Sequence, residues 1–205
     1  MGPLPKAVIA LWPIIIKMRK LVLFAHISLD GFAADIHGGL GFLSYNQELQ
    51  QFADELVKTV GASVYGKNTY QLMQGYWPTV LADPTASQPE LDHARWVEQI
   101  PKIVFSTTLP SADWNNTTLI NGNVVEEVNK LKQQPGLDLV IFGSPGLAKN
   151  LMHLGLIDDY KLTLHPVLLG EGIRLFDSPI AMSKLTLLAS KPLGSGVVTL
   201  HYTGR

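Results

Sequence analysis

Residues 138 to 155 read Asp138-Leu-Val-Ile-Phe-Gly-Ser-Pro-Gly-Leu-Ala-Lys-Asn-Leu-Met-His-Leu-Gly155. A short apolar run, Leu139 to Phe142, stops at Gly143. Ser144 is a residue type that caps a helix, and Pro145 suits the first helical position. Leu147, Leu151 and Leu154 recur at helical spacing, and Gly155 suits the exit. The stretch therefore predicts a buried strand that passes through a glycine turn into a helix N-terminus. Free backbone N–H groups and the helix dipole make such a point suited to a phosphate. An ordinary βα turn reads the same way, so the segment speaks first to the fold.

Elements of the same kind lie on either side. Lys20 to Ile27 reads as a buried first strand. A glycine-containing loop follows from Ser28 to Leu43, and Ser44 with Gln47 reads as a capping box for a helix bearing Leu49, Phe52, Leu56 and Val60. Ala62 to Tyr65 is a short strand ending at Gly66, and Asn68 to Met73 a short helix. Residues 75 to 101 hold Pro78, Pro84, Pro89 and Pro101 and read as a long surface excursion, a candidate substrate lid, with a helical piece at Leu91 to Val97. Lys102 to Phe105 and Thr117 to Ile120 are strands, and Asn123 with Glu126 caps a helix carrying Val124, Val128 and Leu131. Beyond residue 155 the pattern changes. Tyr160, Leu162 and Leu164 alternate with polar residues as in a half-exposed strand. Leu185 to Lys191 and Val197 to Tyr202 flank a Gly194-Ser195-Gly196 turn as a hairpin. Alternating β and α followed by antiparallel strands predicts an α/β fold, with helices on both faces of a mixed, mainly parallel sheet and an antiparallel edge.

The chain has 205 residues, 46% hydrophobic and 16% charged, with a formal net charge of −1. That is enough for one domain with a sizeable core. The near-zero charge gives no electrostatic case for nucleic acid or for an anionic membrane. Absence of cysteine excludes disulfides, thiolate metal sites and a cysteine nucleophile; it leaves the compartment open, with the cytosol as the default. Residues 1 to 18 form a leader of uncertain role, apolar from Ala7 to Ile16 but too short to span a bilayer and without signal-peptide features. Either Met18 is the functional start or the leader is an appendage. The single domain runs from residue 19 to 205.

Several segments could carry chemistry. Gly61-Ala-Ser-Val-Tyr-Gly-Lys-Asn-Thr69 nearly matches a nucleoside-triphosphate phosphate loop. Its four middle residues are a strand pattern, and Asn68 stands where a magnesium-binding hydroxyl belongs. A better reading is a second strand-to-helix phosphate cradle, with Lys67 supplying charge; a plain turn with a solvated lysine remains the alternative. Asp30, in Ser28-Leu-Asp-Gly31, follows the first strand and either points into the crevice at the sheet's carboxyl end or stabilises the Gly31 bend. Ser106-Thr107-Thr108 lies at the same end. The histidines show no metal spacing, and His26 and His165 read as packing or edge residues.

Four segments together resemble the dihydrofolate-reductase-like superfamily: Leu23 to Gly31, Tyr65 to Tyr70, Val104 to Leu109, and Ile141 to Phe176, the last including Gly155-Leu-Ile-Asp-Asp159 and His165-Pro-Val-Leu-Leu-Gly-Glu-Gly172. The nearest branch is the reductase domain of riboflavin biosynthesis and its stand-alone bacterial relatives. The resemblance covers about residues 19 to 203. It implies a three-layer α/β/α fold with an eight-stranded sheet and NADPH, or NADH, lying across the strand ends. By position, Gly66, Lys67, Asn68 and Thr69 would hold the cofactor phosphates. Phe142, Gly143, Ser144, Pro145, Gly146 and Leu147 would wrap the pyrophosphate, and Ser106, Thr107 and Thr108 would meet the adenosine end. Ala25 would offer backbone to the nicotinamide carboxamide, and Asp30 would line the substrate side as the catalytic carboxylate. The implied activity is reduction of a small heterocyclic substrate, such as 5-amino-6-(5-phosphoribosylamino)uracil, by a homodimer. A dihydrofolate-reductase-type enzyme and a dinucleotide-binding module without turnover are the alternatives.

The chain departs from this pattern in three places. Gly143-Ser144 stands where relatives often have two glycines. Thr107 stands where they often have arginine, so a preference for NADPH rests on Lys67. The acid that engages a pterin in dihydrofolate reductases would fall near Gln50, with Glu48 and Asp54 close by.

Overall fold

The computed structural model describes residues 18–177 and 182–204. The leader up to residue 17, and with it the question of start or appendage, lies outside the described residues. An eight-stranded sheet runs in the order β5-β4-β3-β6-β1-β7-β10-β9. Its strands are β1 (Leu21–Ser28), β3 (Val60–Gly66), β4 (Lys102–Phe105), β5 (Thr117–Ile120), β6 (Asp138–Phe142), β7 (Asp159–His165), β9 (Thr186–Pro192) and β10 (Val198–Thr203). β10 is antiparallel to both β7 and β9, and all other neighbouring pairs are parallel. This is the mixed, mainly parallel α/β sheet with a C-terminal antiparallel hairpin that the sequence predicts.

The strand pattern builds three layers. Leu21, Leu23, Ala25 and Ile27 of β1 point to one face. There they pack with Val128 of α4 (Val124–Gln133) and with Ala148 and Leu151 of α5 (Pro145–His153). Val22 and Phe24 point to the other face and meet Leu56 of α1 (Gln47–Val57) and Ile100. Tyr65 and Val104 continue that second face against Tyr70 of α2 (Lys67–Ala82) and Val97 of α3 (Gln88–Gln99). Period-two alternation in strands buried on both faces explains why the runs read as continuous hydrophobic stretches. Among the described residues no helix is long and apolar enough to cross a membrane.

Four expectations need correction. The helix before β3 is capped by Asn46, whose side chain accepts from Leu49 N–H at 2.9 Å, and not by a Ser44–Gln47 box. Residues 75 to 101 are not a surface excursion: α2 continues through Pro78 to Ala82, and α3 follows. Pro89 falls in the first turn of α3, where a missing N–H costs nothing, and the Trp77 ring of α2 joins the pair, 4.8 Å from His93 of α3, which in turn lies 5.4 Å from Trp96 of its own helix. β7 is not half-exposed, because Thr163 and His165 are completely buried and hydrogen-bonded to each other. The loop after β1 contains β2 (Phe32–Ala34), which pairs with β8 (Ile173–Arg174) in a separate ribbon.

The amino ends of the parallel strands are locked by buried charge. Lys132 Nζ lies 2.6 Å from Asp158 Oδ2, and the same carboxylate oxygen accepts from Leu21 N–H at 2.8 Å. Lys20 and His201 both contact Asp159, at 2.9 and 3.0 Å. Burial pushes the Asp159 carboxyl up, but hydrogen bonds from Lys20, His201 and Thr203 more than offset this and leave it below the usual carboxylate range. Lys102 Nζ donates to the carbonyls of Glu98, Ile100 and Asn115 at 2.9, 3.1 and 3.0 Å and sits 4.4 Å above the Trp114 ring.

Candidate active site

Ligands of open α/β sheets bind at the carboxyl ends of the strands, and there this chain has two cavities. The larger, of about 410 Å³, lies between the ends of β1 and β6, the helices α1, α2 and α3, and the loop around β2. The smaller, of about 370 Å³, lies past the ends of β4 and β5. The N-terminus of α5 stands between them, since Gly143, Ser144 and Pro145 line the first and Leu147 the second.

Ser144 is the hinge of this arrangement. It is buried and held in the left-handed region at φ 48°, directly after Gly143 at φ 58°. Its side chain does not cap α5. Its Oγ accepts instead from the backbone N–H of Gly66 at 2.8 Å, across 78 residues of sequence. Gly66 is itself the N-cap of α2, so one hydrogen bond joins two helix N-termini. A Cβ on Gly66 would stand 3.2 Å from Ser144 Oγ and 3.3 Å from Leu147 Cβ, so the two cradles approach closely because residue 66 has no side chain. By contrast, a Cβ on Gly143 or Gly146 would meet nothing within 4 Å. In α5 the first intrahelical bond runs from Ala148 N–H to the Ser144 carbonyl, which leaves the Gly146 and Leu147 N–H groups facing outward. Lys67, Asn68 and Thr69 form the first turn of α2 beside them. Two converging N-termini, with open space above Gly143 and Gly146 of the second, fit a dinucleotide pyrophosphate.

The other predicted residues fall into three groups. Ser106, Thr107 and Thr108 line the smaller cavity, with Ser106 Oγ accepting from Thr108 and Leu109 N–H at 3.2 and 3.0 Å. Thr69 and Phe142 line the larger one. Two residues depart from expectation. The Phe24 carbonyl accepts from Gly143 N–H, on the β6 side, while the Leu21 carbonyl accepts from Asp158 N–H, on the β7 side. By strand alternation the backbone of Ala25 faces β7, where it pairs with Leu162, and it is His26 whose backbone faces the gap beyond the end of β6. Asp30 does not line either cavity. Its carboxylate accepts from Ser28 Oγ at 2.6 Å and from the N–H groups of Leu169 and Gly170 at 3.2 and 2.8 Å, stapling the loop after β7 to the end of β1. The Ser28 hydroxyl, against a smaller opposing effect of burial and aided by Gly170 and Leu169, lowers its carboxyl to about 2, far from the range of a proton relay.

Beyond Thr69 and residues 142 to 145, most of the larger cavity's wall comes from residues that carry no motif. Phe24, Tyr45, Tyr76, Trp77 and Phe142 supply aromatic surface, and His26, Gln50, Glu90 and His93 supply polar groups. Gln50 occupies the place expected for a pterin-binding acid, with its amide oxygen accepting from Tyr45 Oη at 2.5 Å and its Nε2 donating to Asp54 at 2.7 Å. Glu48 is turned away and accepts from Gly194 N–H at 2.6 Å. Burial, with His165 adding, pushes His26 down to about 3, and burial alone pushes His165 down. Both rings are therefore neutral at pH 7. In the sequence His26 reads as packing. Its one signal is a histidine on the strand next to the predicted nicotinamide position. Among the described residues no group of three histidines, cysteines or carboxylates is placed to hold a metal ion.

Comparisons with known proteins give the family and the fold. The sequence profile of the RibD C-terminal domain matches residues 19–199. The uncharacterized protein YyaP of Bacillus subtilis (strain 168) is 32% identical over 189 residues, covering 91% of this chain and 96% of that protein. A putative riboflavin biosynthesis protein from Shewanella sp. PV-4 superposes with a TM-score of 0.73 at 21% identity, covering 91% of this chain and 99% of that one. Dihydrofolate reductase from Enterococcus faecalis, solved with NADP(H), superposes with a TM-score of 0.57 at 14% identity, covering 90% and 95%. With its profile match over most of the chain and its dihydrofolate-reductase-like sheet, the protein belongs to the RibD C-terminal domain family.

Proposed function

We propose that the protein is an NADPH-dependent reductase of a small heterocyclic substrate, resembling the enzyme that reduces 5-amino-6-(5-phosphoribosylamino)uracil. The observation that carries the reading is the Gly66–Ser144 hydrogen bond, which joins two helix N-termini between two cavities. Gly66 to Thr69 and Gly143 to Leu147 would hold the cofactor phosphates, and Ser106 to Thr108 the adenosine end. The cofactor, when bound, supplies a hydride. The chain itself contributes alignment, since the aromatic wall of the larger cavity orients the substrate and excludes water beside the end of β1. Lys67 is half-buried beside the cradle and supports NADPH, while Thr107 offers no guanidinium to a 2′-phosphate, so NADH is the second candidate.

The lone edge of β9, where Leu187 and Leu188 are about half exposed, favours a homodimer, because natural edge strands are usually covered or charged. The cytoplasm, the default compartment, is proposed with it.

Titration with NADPH and NADH, followed by NADPH oxidation against dihydrofolate and the phosphoribosylamino-pyrimidine, tests the reading. Tight NADPH binding and turnover of a heterocycle are expected. Failure of both cofactors to bind overturns it. Binding without oxidation of any substrate would instead leave a dinucleotide-binding module. Turnover of dihydrofolate would favour the dihydrofolate-reductase-type reading despite Gln50.

A further inference from the structure

The larger cavity has a polar wall that the reductase reading does not use, formed by His26 and backed by Thr163 and His165. Hydrogen-bond roles along this chain are fixed from one end. The backbone N–H of Ser44 can only donate, and it meets His165 Nδ1 at 3.2 Å. A neutral imidazole that accepts at Nδ1 carries its proton on Nε2. His165 Nε2 lies 3.2 Å from Thr163 Oγ1 and 3.5 Å from His26 Nδ1, so its proton goes to the nearer hydroxyl, and donation to either atom leaves His26 Nδ1 an acceptor. The Thr163 hydroxyl, having accepted, has one proton to give, and His26 Nδ1 stands 2.5 Å away. His26 therefore accepts at Nδ1 and carries its own proton on Nε2.

The ring cannot easily turn away from this state. Thr163 and His165 are completely buried. The His26 ring makes edge contacts with Phe24 and His165, at 5.0 and 5.5 Å between centroids. With Nδ1 taken, Nε2 is the ring's remaining polar atom, and His26 is one of the residues that line the cavity. The surroundings select what can meet it. Aromatic rings of Tyr45, Tyr76, Trp77 and Phe142 favour a flat partner. A neutral imidazole offers a hydrogen bond without charge, and the Glu90 carboxylate opposes negative charge on the partner's ring that lies in this cavity, though not on a substituent reaching out of it.

We propose that His26 is a substrate-binding residue, donating from Nε2–H to a carbonyl oxygen or ring nitrogen of an uncharged planar heterocycle, with Ser44, His165 and Thr163 as positioning residues that fix its tautomer. The proposal rests on the reductase reading for the cavity's being the substrate site, but not for the state of the ring. It makes His26 a specificity determinant, because a pre-set donor in a buried wall rejects a ligand that leaves it unpaired.

Two measurements on the full chain test it. The first is long-range proton–nitrogen correlation of the imidazoles in labelled protein between about pH 5 and 8. His26 and His165 should both show the Nε2–H tautomer, unchanged across the range. Thr163→Val should give His26 a mixed tautomer, and Thr163→Ser should restore it. A protonated His26 ring at pH 7, or its Nδ1–H tautomer, overturns the proposal.

The second is calorimetric binding of lumazine, an uncharged heterocycle with carbonyl acceptors, to the protein saturated with NADP⁺. His26→Phe should weaken lumazine by at least about tenfold, with NADP⁺ affinity nearly unchanged, and His26→Gln should recover most of the loss. Equal affinity in His26→Phe overturns the donor role. A wild type holding NADP⁺ that binds neither lumazine nor 6-aminouracil overturns the substrate class. If NADP⁺ itself fails to bind, the reductase reading falls, and the donor role is decided by lumazine binding to the free protein and its His26→Phe variant.

Discussion

The two ends of the sheet handle buried polar groups in opposite ways. At the amino ends of the parallel strands, charges are paired with each other: Lys132 with Asp158, Lys20 and His201 with Asp159. At the carboxyl ends, N–H groups of two helix starts and an imidazole face open volume. Left-handed backbone outside glycine occurs at both ends, at Asn116 (φ 54°) just before β5 and at Ser144 (φ 48°), a conformation that costs roughly 1–2 kcal/mol for a residue with a Cβ, so the difference lies in the polar groups. The difference separates stability from function within one sheet. One end satisfies its polar groups internally and anchors the strands. The other leaves donors pre-set beside open volume.

Disturbing the amino end should have the largest effect. Asp158→Ala leaves Lys132 buried and unpaired, at 2% exposure. Urea unfolding should show a loss of about 3–5 kcal/mol, with NADPH affinity of the folded fraction unchanged. Replacing the pair together, with Lys132→Met and Asp158→Leu, should recover most of it. A large loss of cofactor affinity in the folded fraction would mean that the ends are not separable.

Gly146→Glu probes the other end. Glutamate in the first turn of α5 suits the helix dipole, so the fold should hold or gain slightly. The side chain enters the space proposed for the pyrophosphate, and NADPH affinity should fall about 100-fold, near 2.7 kcal/mol. Unchanged affinity in calorimetry would remove the α5 cradle from the site. Ser144→Ala should have a smaller and mixed effect. It removes the acceptor from Gly66 N–H, and a loss of about 1–2 kcal/mol is expected in unfolding, with weaker NADPH binding alongside. Stability lost with binding intact would make the link between the cradles structural alone.

Acid should separate the ends further. His26 is pushed down to about 3 in the folded protein, below an unfolded value near 6.5. Between these values the unfolded chain binds more protons, so stability rises with pH and is lost as pH falls from about 6.5 toward 3. His165 faces His26 and is shifted in the same direction, so His26→Phe should flatten this slope without abolishing it. An unchanged slope would mean that His26 titrates normally. The smallest effect belongs to Asp30→Asn. Its carboxyl is lowered to about 2, so the staple is complete above the ordinary carboxylate range and is lost only as pH falls through about 2. The variant should speed amide exchange at Leu169 and Gly170 while leaving turnover largely intact. A severe loss of turnover would return Asp30 to the catalytic machinery.

Much of the fold is legible in the sequence because strands buried on both faces read as apolar runs and each ends at a glycine or serine turn. Lys102–Phe105 and Thr117–Ile120 match their predicted limits. What fails depends on distant partners. Prolines at 78 and 89 suggest a loop, yet ring contacts between Trp77, His93 and Trp96 hold two helices there. Ser44 looks like a cap, but its N–H goes to a histidine 121 residues away. At the site, the two glycine cradles are visible as strand-to-helix turns. That Ser144 Oγ serves Gly66, and not its own helix, is invisible, because helix-start signals are local and this bond is not. Ala25 takes its expected place from resemblance alone, and Asp30 from its position after the first strand together with the resemblance. Loop contacts of one, and the ladder parity of the other, are properties of the folded chain. His26 escapes notice because its role depends on which way a neighbouring strand turns a threonine.

Function at the carboxyl end of the sheet turns on whether it holds a nicotinamide dinucleotide across the Gly66–Ser144 link. Backbone amide shifts followed during NADPH titration decide this. Saturable one-to-one binding is expected, with the largest shifts at Gly66 to Thr69, Gly143 to Leu147 and Ser106 to Thr108, and with Leu21 and Asp158 at the amino end unmoved. Saturable binding whose shifts cluster elsewhere, or no binding of either NADPH or NADH, would refute it.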